Sequence, residues 1–122
     1  MELRVAKELL HIQRWLALAA VIVDRGKAMY EADEVAQEAG DSLMIKIGEA
    51  AKTLAARGVV APTGVSWSEA AKNREKLAHH YSAVDREITW WTLSRSLSEW
   101  EQALAPLFAE AEAALRLAPK YP

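Results

Sequence analysis

The segment from Asn73 to Tyr81 carries the side chains of this sequence that are best suited to chemistry. It holds two of the three histidines of the chain, His79 and His80, and it places Arg74 five residues before the first of them. Histidine suits proton transfer because its unperturbed pKa lies near neutrality. Arginine suits phosphate binding because its planar guanidinium stays charged and can donate to two oxygens.

These side-chain types match what cleavage of RNA without a metal ion requires. A base removes the 2′-hydroxyl proton, an acid protonates the leaving 5′-oxygen, and a cation stabilises the charge that builds on the phosphate. Arg74 and His79 supply one cation and one proton-transfer group per chain. A two-fold dimer with this segment at its seam would supply two of each. Lys72, Lys76 and Arg86 make the surroundings basic.

A purely structural interpretation of the same segment is also open. On an ideal helix Arg74 and His79 lie about 140° apart, whereas Arg74 and Tyr81 nearly coincide. Arg74, Leu77 and Tyr81 would then form a packing stripe, with the histidines solvated at the helix end or stabilised by its dipole.

Metal and cofactor chemistry has little support in the sequence. The chain has no cysteine, which excludes disulfides, thiolate metal sites and a cysteine nucleophile. His79 and His80 are adjacent and His11 is remote, so the histidine spacing typical of metal sites is lacking. No glycine-rich phosphate loop is present. We therefore expect neither a metal nor a cofactor.

Composition and periodicity predict the elements that must position this segment. In 122 residues, hydrophobic residues make up 52%, and Gly (5) and Pro (4) are sparse. That balance predicts one all-α domain over residues 1–122, an antiparallel bundle of four to five helices. The apolar repeats place the helices at about Glu2 to Val23, from near Tyr30–Asp33 to about Arg57–Gly58, from Ser66 to about His79, and from about Asp85 onward.

Several residues mark expected ends and irregularities of these helices. Gly26 is predicted as a C-cap, and Ser66 as an N-cap with the capping-box spacing to Glu69. Gly40 and Gly48 lie inside the second helix, which predicts a kink or close helix packing. Pro106 predicts a kink or break in the last helix.

The surplus of apolar residues outside the main stripes predicts a partner surface, most simply that of a homodimer. These residues include Leu10, Trp15, Ile22, Met44, Ile45, Trp91 and Phe108. The net charge of −2 excludes the global footprint of a strong nucleic-acid binder, so RNA contact needs a local patch. Charges recur through the first fourteen residues, so we expect no signal peptide, no membrane span and a cytoplasmic protein.

The spacing Arg74-(four residues)-His79-x-Tyr81 resembles the signature of the HepT-like toxins, which are ribonucleases with HEPN domains. The segment from Asp41 to Lys52 resembles that family's helix with an Ile-Gly-Glu-Ala core. Residues 65–69 resemble the entry to its motif helix, and residues 81–90 the run into its last helix. The resemblance covers roughly residues 40–105. Two positions depart from the family pattern, with Glu75 in place of the common Asn or Asp, and His80 in place of a small residue.

The resemblance implies a helical toxin that dimerises with both motifs at the seam and cleaves RNA without metal, with Arg74 and His79 catalytic. It implies a nucleotidyltransferase-type antitoxin of the MNT kind as partner, which silences the toxin by adding AMP to Tyr81. A rival function is a non-catalytic HEPN helper or binding module for a nucleotidyltransferase. A second rival is a structural dimerisation bundle with no ligand.

Overall fold

Helices form nearly all of the chain. A computed structural model describes residues 1–79 and 81–119, and it leaves the side chain of Tyr81 undescribed. The helices are α1 (Leu3–Asp24), α2 (Lys27–Ala32), α3 (Glu34–Ala56), α4 (Trp67–His79), α5 (Arg86–Trp91) and α6 (Leu97–Arg116). A short 3-10 turn spans Tyr81–Ala83, and a π segment spans Thr92–Ser96. The predicted all-α bundle is confirmed.

The apolar stripe of α1 forms the centre of the core. Val5, Leu9, Ile12, Leu16 and Ala19 of this stripe are buried, and α1 packs against both α3 and α6. The helix ends where it was predicted to end. Arg25 is its C-cap instead of the predicted Gly26, which follows with a φ of 92°, a left-handed conformation that glycine adopts without strain.

The start of the second long helix differs from the prediction. A short helix, α2, precedes it, and Asp33 serves as the N-cap of α3. The Asp33 carboxylate accepts hydrogen bonds from the backbone N–H groups of Val35 (2.9 Å) and Ala36 (3.4 Å). This cap separates α2 from α3 because it satisfies donors that a continuous helix would use internally.

The motif helix α4 is fixed at its beginning by two contacts. Ser66 Oγ accepts a hydrogen bond from the Glu69 backbone N–H at 3.2 Å, which confirms Ser66 as the cap. The Trp67 indole N–H donates to the Val59 carbonyl at 2.9 Å, and the Trp67 ring stands edge-on to Trp100 at 5.6 Å. The N-terminal end of α4 is therefore anchored to the preceding loop and to α6.

The last helical run continues from α5 through the π segment into α6. The side-chain hydroxyls of Thr92 and Ser94 donate to the carbonyls of Ile88 and Trp90, each four residues earlier. Such back-bonding competes with the backbone ladder and accompanies the widened turn. Buried Leu93 reaches α3 here, since a Cβ on Gly40 would lie 2.9 Å from its Cδ1. The predicted close packing at Gly40 is confirmed.

Of the kink or break predicted at Pro106, the break does not occur, because α6 runs through this residue to Arg116. Proline removes one backbone donor from a helix interior. Leu104 and Phe108, on either side of it, are buried in the core. Their packing holds the helix together across the missing hydrogen bond.

The predicted surplus of apolar residues is smaller in the structure than in the sequence. Ile22, Met44 and Phe108 belong to the core, whereas Trp91 remains 57% exposed. Leu10, Trp15 and Ile45 are half-buried against the core. Ile88 on α5 is also half exposed. Among the helices of residues 1–79 and 81–119, none combines the length and the apolar character that crossing a bilayer requires.

Candidate active site

Arg74 lies at a point where α3 and α4 approach each other closely. A Cβ atom placed on Gly48 would lie 2.3 Å from the Arg74 Cβ and 2.7 Å from the Ala70 carbonyl oxygen. Only glycine leaves room for α4 at this point. The predicted close packing at Gly48 is confirmed, and its consequence is that the stem of Arg74 lies directly on α3.

The guanidinium of Arg74 contacts two carboxylates that come from different helices. Its Nη2 atom lies 2.6 Å from Glu49 Oε1 on α3, and its Nη1 atom lies 2.7 Å from Glu75 Oε1 on α4. The Nε atom is buried without a hydrogen-bond partner among the described residues. The Arg74 side chain is 26% exposed, whereas those of Glu49 and Glu75 are 52% and 59% exposed. The charged end of this arginine is therefore within reach of a ligand from solvent.

His79 joins this cluster through the same glutamate. Its Nε2 atom lies 3.4 Å from Glu75 Oε2, and its side chain is 63% exposed. Arg74 and His79 lie on different faces of the helix, but Glu75 can contact both. It is next to the arginine in the chain and four residues, about one helical turn, before the histidine. The Glu75 carboxylate thus lies between the two side chains that the sequence singled out.

The position of Tyr81 differs from the ideal-helix expectation. The shared face of Arg74 and Tyr81 required α4 to continue, but α4 ends at His79 and a 3-10 turn begins at Tyr81. The face argument for Tyr81 therefore does not hold. Its side chain, like the whole of His80, lies outside the part of the chain that the structure describes.

The predicted basic surroundings lose one member in the structure. Arg86 makes a two-pronged hydrogen bond with the buried carboxylate of Asp41, Nη1 to Oδ1 and Nη2 to Oδ2, each at 2.8 Å. Lys72 lies 3.9 Å from Glu69, and Lys76 is exposed. The cations near the motif are therefore Lys72, Arg74 and Lys76, whereas the guanidinium of Arg86 is bound by a buried carboxylate.

The Arg86 pair belongs to a buried polar network that holds α5 in place. Arg86 Nη1 also donates to the Tyr30 hydroxyl at 3.2 Å, and that hydroxyl lies 2.5 Å from Thr89 Oγ1. The hydrogen bonds to Asp41 raise the pKa of the Arg86 guanidinium above its ordinary value, more than desolvation lowers it. The network ties α2, α3 and α5 together just after the motif.

A cleft of about 370 Å³ adjoins the motif helix on another side. It lies between α3, α4 and the π segment, and its lining includes Met44, Ile47, Asn73, Thr92 and Trp100. Asn73 Nδ2 lies 3.6 Å from the Met44 sulfur, so the residue before Arg74 faces this cleft. Nothing in the sequence pattern indicated the cleft, because its walls come from distant segments.

Sequence reasoning also missed the contact between Glu49 and Arg74. A signal for it existed, since Glu49 follows Gly48 in the Ile-Gly-Glu-Ala segment that the sequence shares with a known family. Within residues 1–79 and 81–119, no group of three or more His, Cys, Asp or Glu side chains is arranged to hold a metal ion.

The fold and the cluster define a class of protein, an all-α bundle with an arginine and a histidine in the C-terminal half of its motif helix. The family model of the HepT-like ribonucleases matches residues 12–107, and the chain belongs to this family. No curated protein and no solved structure matches the chain. Family membership makes RNA the substrate class.

Proposed function

We propose that this protein is the toxin of a toxin–antitoxin pair, a cytoplasmic endoribonuclease of one HEPN-like domain over residues 1–122. It cleaves RNA without a metal ion at a composite site between two copies of the chain. The observation that carries this proposal is that Arg74 and His79 both contact Glu75 in the C-terminal half of α4. Membership of a ribonuclease family supports it.

The proposed reaction uses the side chains of this cluster and an acid from a second copy of the chain. His79 accepts the proton of the RNA 2′-hydroxyl, and the 2′-oxygen attacks the neighbouring phosphorus. The bond from phosphorus to the 5′-oxygen breaks, and that oxygen takes a proton from an acid. Arg74 donates hydrogen bonds to the phosphate oxygens as their charge grows. The products are a 2′,3′-cyclic phosphate and a free 5′-hydroxyl.

The second proton-transfer group comes from a second copy of the chain in this proposal. Each chain has one Arg74 and one His79, and a two-fold axis beside α4 supplies one histidine as base and the other as acid. Exposed Ile88 and Trp91 on α5, which follows the motif, support a partner surface nearby. Light scattering at micromolar concentration should report a dimer, and a monomer alone would contradict the composite site.

The cleavage test uses purified protein and single-stranded RNA in EDTA. Wild-type protein should cut the RNA and leave a 2′,3′-cyclic phosphate or its opened product. His79→Ala should lower the rate by about 10²–10⁴-fold, the usual contribution of general acid–base catalysis. His11→Ala is the matched control, because His11 is an exposed histidine on α1. Activity that EDTA abolishes and a divalent ion restores would contradict the metal-free mechanism.

The proposed antitoxin is a nucleotidyltransferase of the MNT type that transfers AMP to Tyr81. Tyr81 follows His79 by two residues in the chain, so an added phosphate would bring negative charge to the region where the RNA backbone binds. Intact-mass spectrometry after co-expression should show added AMP on the wild type and none on Tyr81→Phe. Additions that survive in Tyr81→Phe would place the modification elsewhere. Silencing without any mass change would indicate steric inhibition.

One observation favours a second candidate, the non-catalytic helper module for a nucleotidyltransferase. Arg74 is already paired with the carboxylates of Glu49 and Glu75, which oppose the binding of another anion. A helper module would bind the partner enzyme equally well with His79→Ala and would leave RNA intact. The cleavage test therefore separates the two candidates.

A further inference from the structure

Glu75 holds a position in the cluster that a substrate phosphate would also need. We propose that Glu75 sets the affinity of the site for RNA by competing with the scissile phosphate for Arg74. This inference rests on the proposed function for the identity of the ligand, an RNA phosphate. It adds a role for a residue that is neither the cation nor the proton-transfer group.

The competition follows from the geometry of the two contacts. One Glu75 oxygen lies 2.7 Å from Arg74 Nη1, and the other lies 3.4 Å from His79 Nε2. A phosphate undergoing cleavage must contact the same guanidinium and must place its neighbouring 2′-oxygen beside the same imidazole. An anion with two oxygens already spans these groups, so the phosphate can bind only when this carboxylate has moved away.

Glu75, rather than Glu49, is the group that must leave. Both glutamates contact Arg74, but only Glu75 also contacts His79. Its departure frees both groups, whereas departure of Glu49 would free the guanidinium alone. The movement is feasible because the side chain is 59% exposed, and exposed ion pairs contribute little to stability.

The contact through Nη2 would persist during the exchange. Glu49 holds this nitrogen from α3, at the point where Gly48 lets α4 approach. The guanidinium therefore keeps its orientation while Nη1 changes partner from carboxylate to phosphate. Removal of the negative charge at residue 75 should then strengthen phosphate binding. If Glu75 instead positioned Arg74 and His79 for the substrate, its substitution would weaken phosphate binding.

The experiment measures binding of RNA that cannot be cleaved. A 2′-fluoro oligoribonucleotide lacks the nucleophilic hydroxyl, so fluorescence anisotropy reports binding alone. The variant Glu75→Gln keeps the size of the side chain and removes its charge. Glu69→Gln is the matched control, since Glu69 is an exposed carboxylate on the same helix and contacts Lys72 at 3.9 Å instead of Arg74. Both variants change the net charge equally.

We expect Glu75→Gln to bind the oligonucleotide about fivefold more tightly than Glu69→Gln at low salt, the scale of one unit charge a few ångströms away in a watery site. The gain should shrink as salt rises, because exposed charges are screened. It should vanish when Arg74→Ala is present in both proteins, because the competition acts through the guanidinium.

Three results would overturn the inference. These are equal or weaker binding by Glu75→Gln than by Glu69→Gln, a gain that survives Arg74→Ala, and no binding by any variant. Cleavage of unmodified RNA by the same proteins is scored separately. If no cleavage occurs but binding follows the expected pattern, the proposed ribonuclease activity is contradicted and the proposed role of Glu75 is supported. If the wild type cleaves RNA but Glu75→Gln binds more weakly, only the proposed role of Glu75 is contradicted.

Discussion

Two arginines of this protein pair with carboxylates in different ways. Arg86 meets Asp41 through two parallel hydrogen bonds of 2.8 Å, and the Asp41 side chain is only 9% exposed. Arg74 meets Glu49 and Glu75 through one nitrogen each, and both carboxylates are more than half exposed. The two arginines are exposed to a similar extent, 28% for Arg86 and 26% for Arg74, so the difference lies in the burial of their carboxylate partners.

The difference teaches which arginine can exchange its partner. A buried pair is costly to break, because separation leaves a charge without water or a counter-ion. An exposed pair is weak and readily replaced, since water solvates each partner when they part. Arg86 therefore stabilises the bundle, and Arg74 can exchange a carboxylate partner for another anion at lower cost. Four substitutions test this contrast.

The largest effect should follow from Arg74→Ala and should fall on activity. We expect cleavage of RNA to drop by about 10²–10³-fold, the loss seen when a preorganised donor to transition-state charge is removed. The free energy of unfolding should fall by about 1–2 kcal/mol, because the lost ion pairs have exposed carboxylates but the stem of Arg74 also packs on α3. Cleavage assays and urea titrations on the same samples measure both. A fall in stability that accounts for the lost activity would break the contrast.

Asp41→Ala should do the reverse and act on stability. It leaves the Arg86 guanidinium without its carboxylate partner, although Arg86 Nη1 still donates to the Tyr30 hydroxyl. We expect the free energy of unfolding to fall by about 2–3 kcal/mol, below the full cost for a wholly buried pair because Arg86 is 28% exposed. Glu110→Ala, which removes an exposed carboxylate of α6, is the control for the urea titration. Equal stability of the two variants would refute a structural role for Arg86.

Gly48→Ala should affect both properties, because it forces α3 and α4 apart at Arg74. The new methyl group would meet the Ala70 carbonyl oxygen at 2.7 Å. This oxygen belongs to the backbone, which cannot adopt another rotamer as a side chain can. We expect a loss of about 1–3 kcal/mol in the free energy of unfolding and slower cleavage. Gly40→Ala in the same helix is the control, since its new methyl meets the flexible end of Leu93. If Gly40→Ala were the more damaging change, the helix contact would not be what positions Arg74.

Glu49→Gln should produce the smallest effect of the four. It weakens one exposed contact of Arg74, so the free energy of unfolding should change by less than about 1 kcal/mol. Urea titration of Glu49→Gln beside Asp41→Ala compares what the exposed pair of Arg74 and the buried pair of Arg86 contribute to the free energy of unfolding. A loss as large as that of Asp41→Ala would mean that the contact from α3 is structural and that the two sites are alike.

Much of the architecture could be predicted from the sequence, because it depends on interactions within one or two helical turns. The stripe of α1, the glycine stop at Gly26 and the Ser66 cap follow from side-chain periodicity and local hydrogen bonding. The resemblance around Arg74 and His79 depends on fixed spacing along the chain, and it led to the family that the chain belongs to. The roles of Arg74, His79 and Tyr81 stay predictions.

Only the tertiary structure decided which side chains meet across helices. It paired Arg86 with an aspartate 45 residues away, although the sequence had counted this arginine among the surface cations. It brought Glu49 to Arg74, buried Ile22, Met44 and Phe108, and carried α6 through Pro106. Local propensity cannot determine such outcomes, because they depend on the free energy of packing between segments that are distant in the chain.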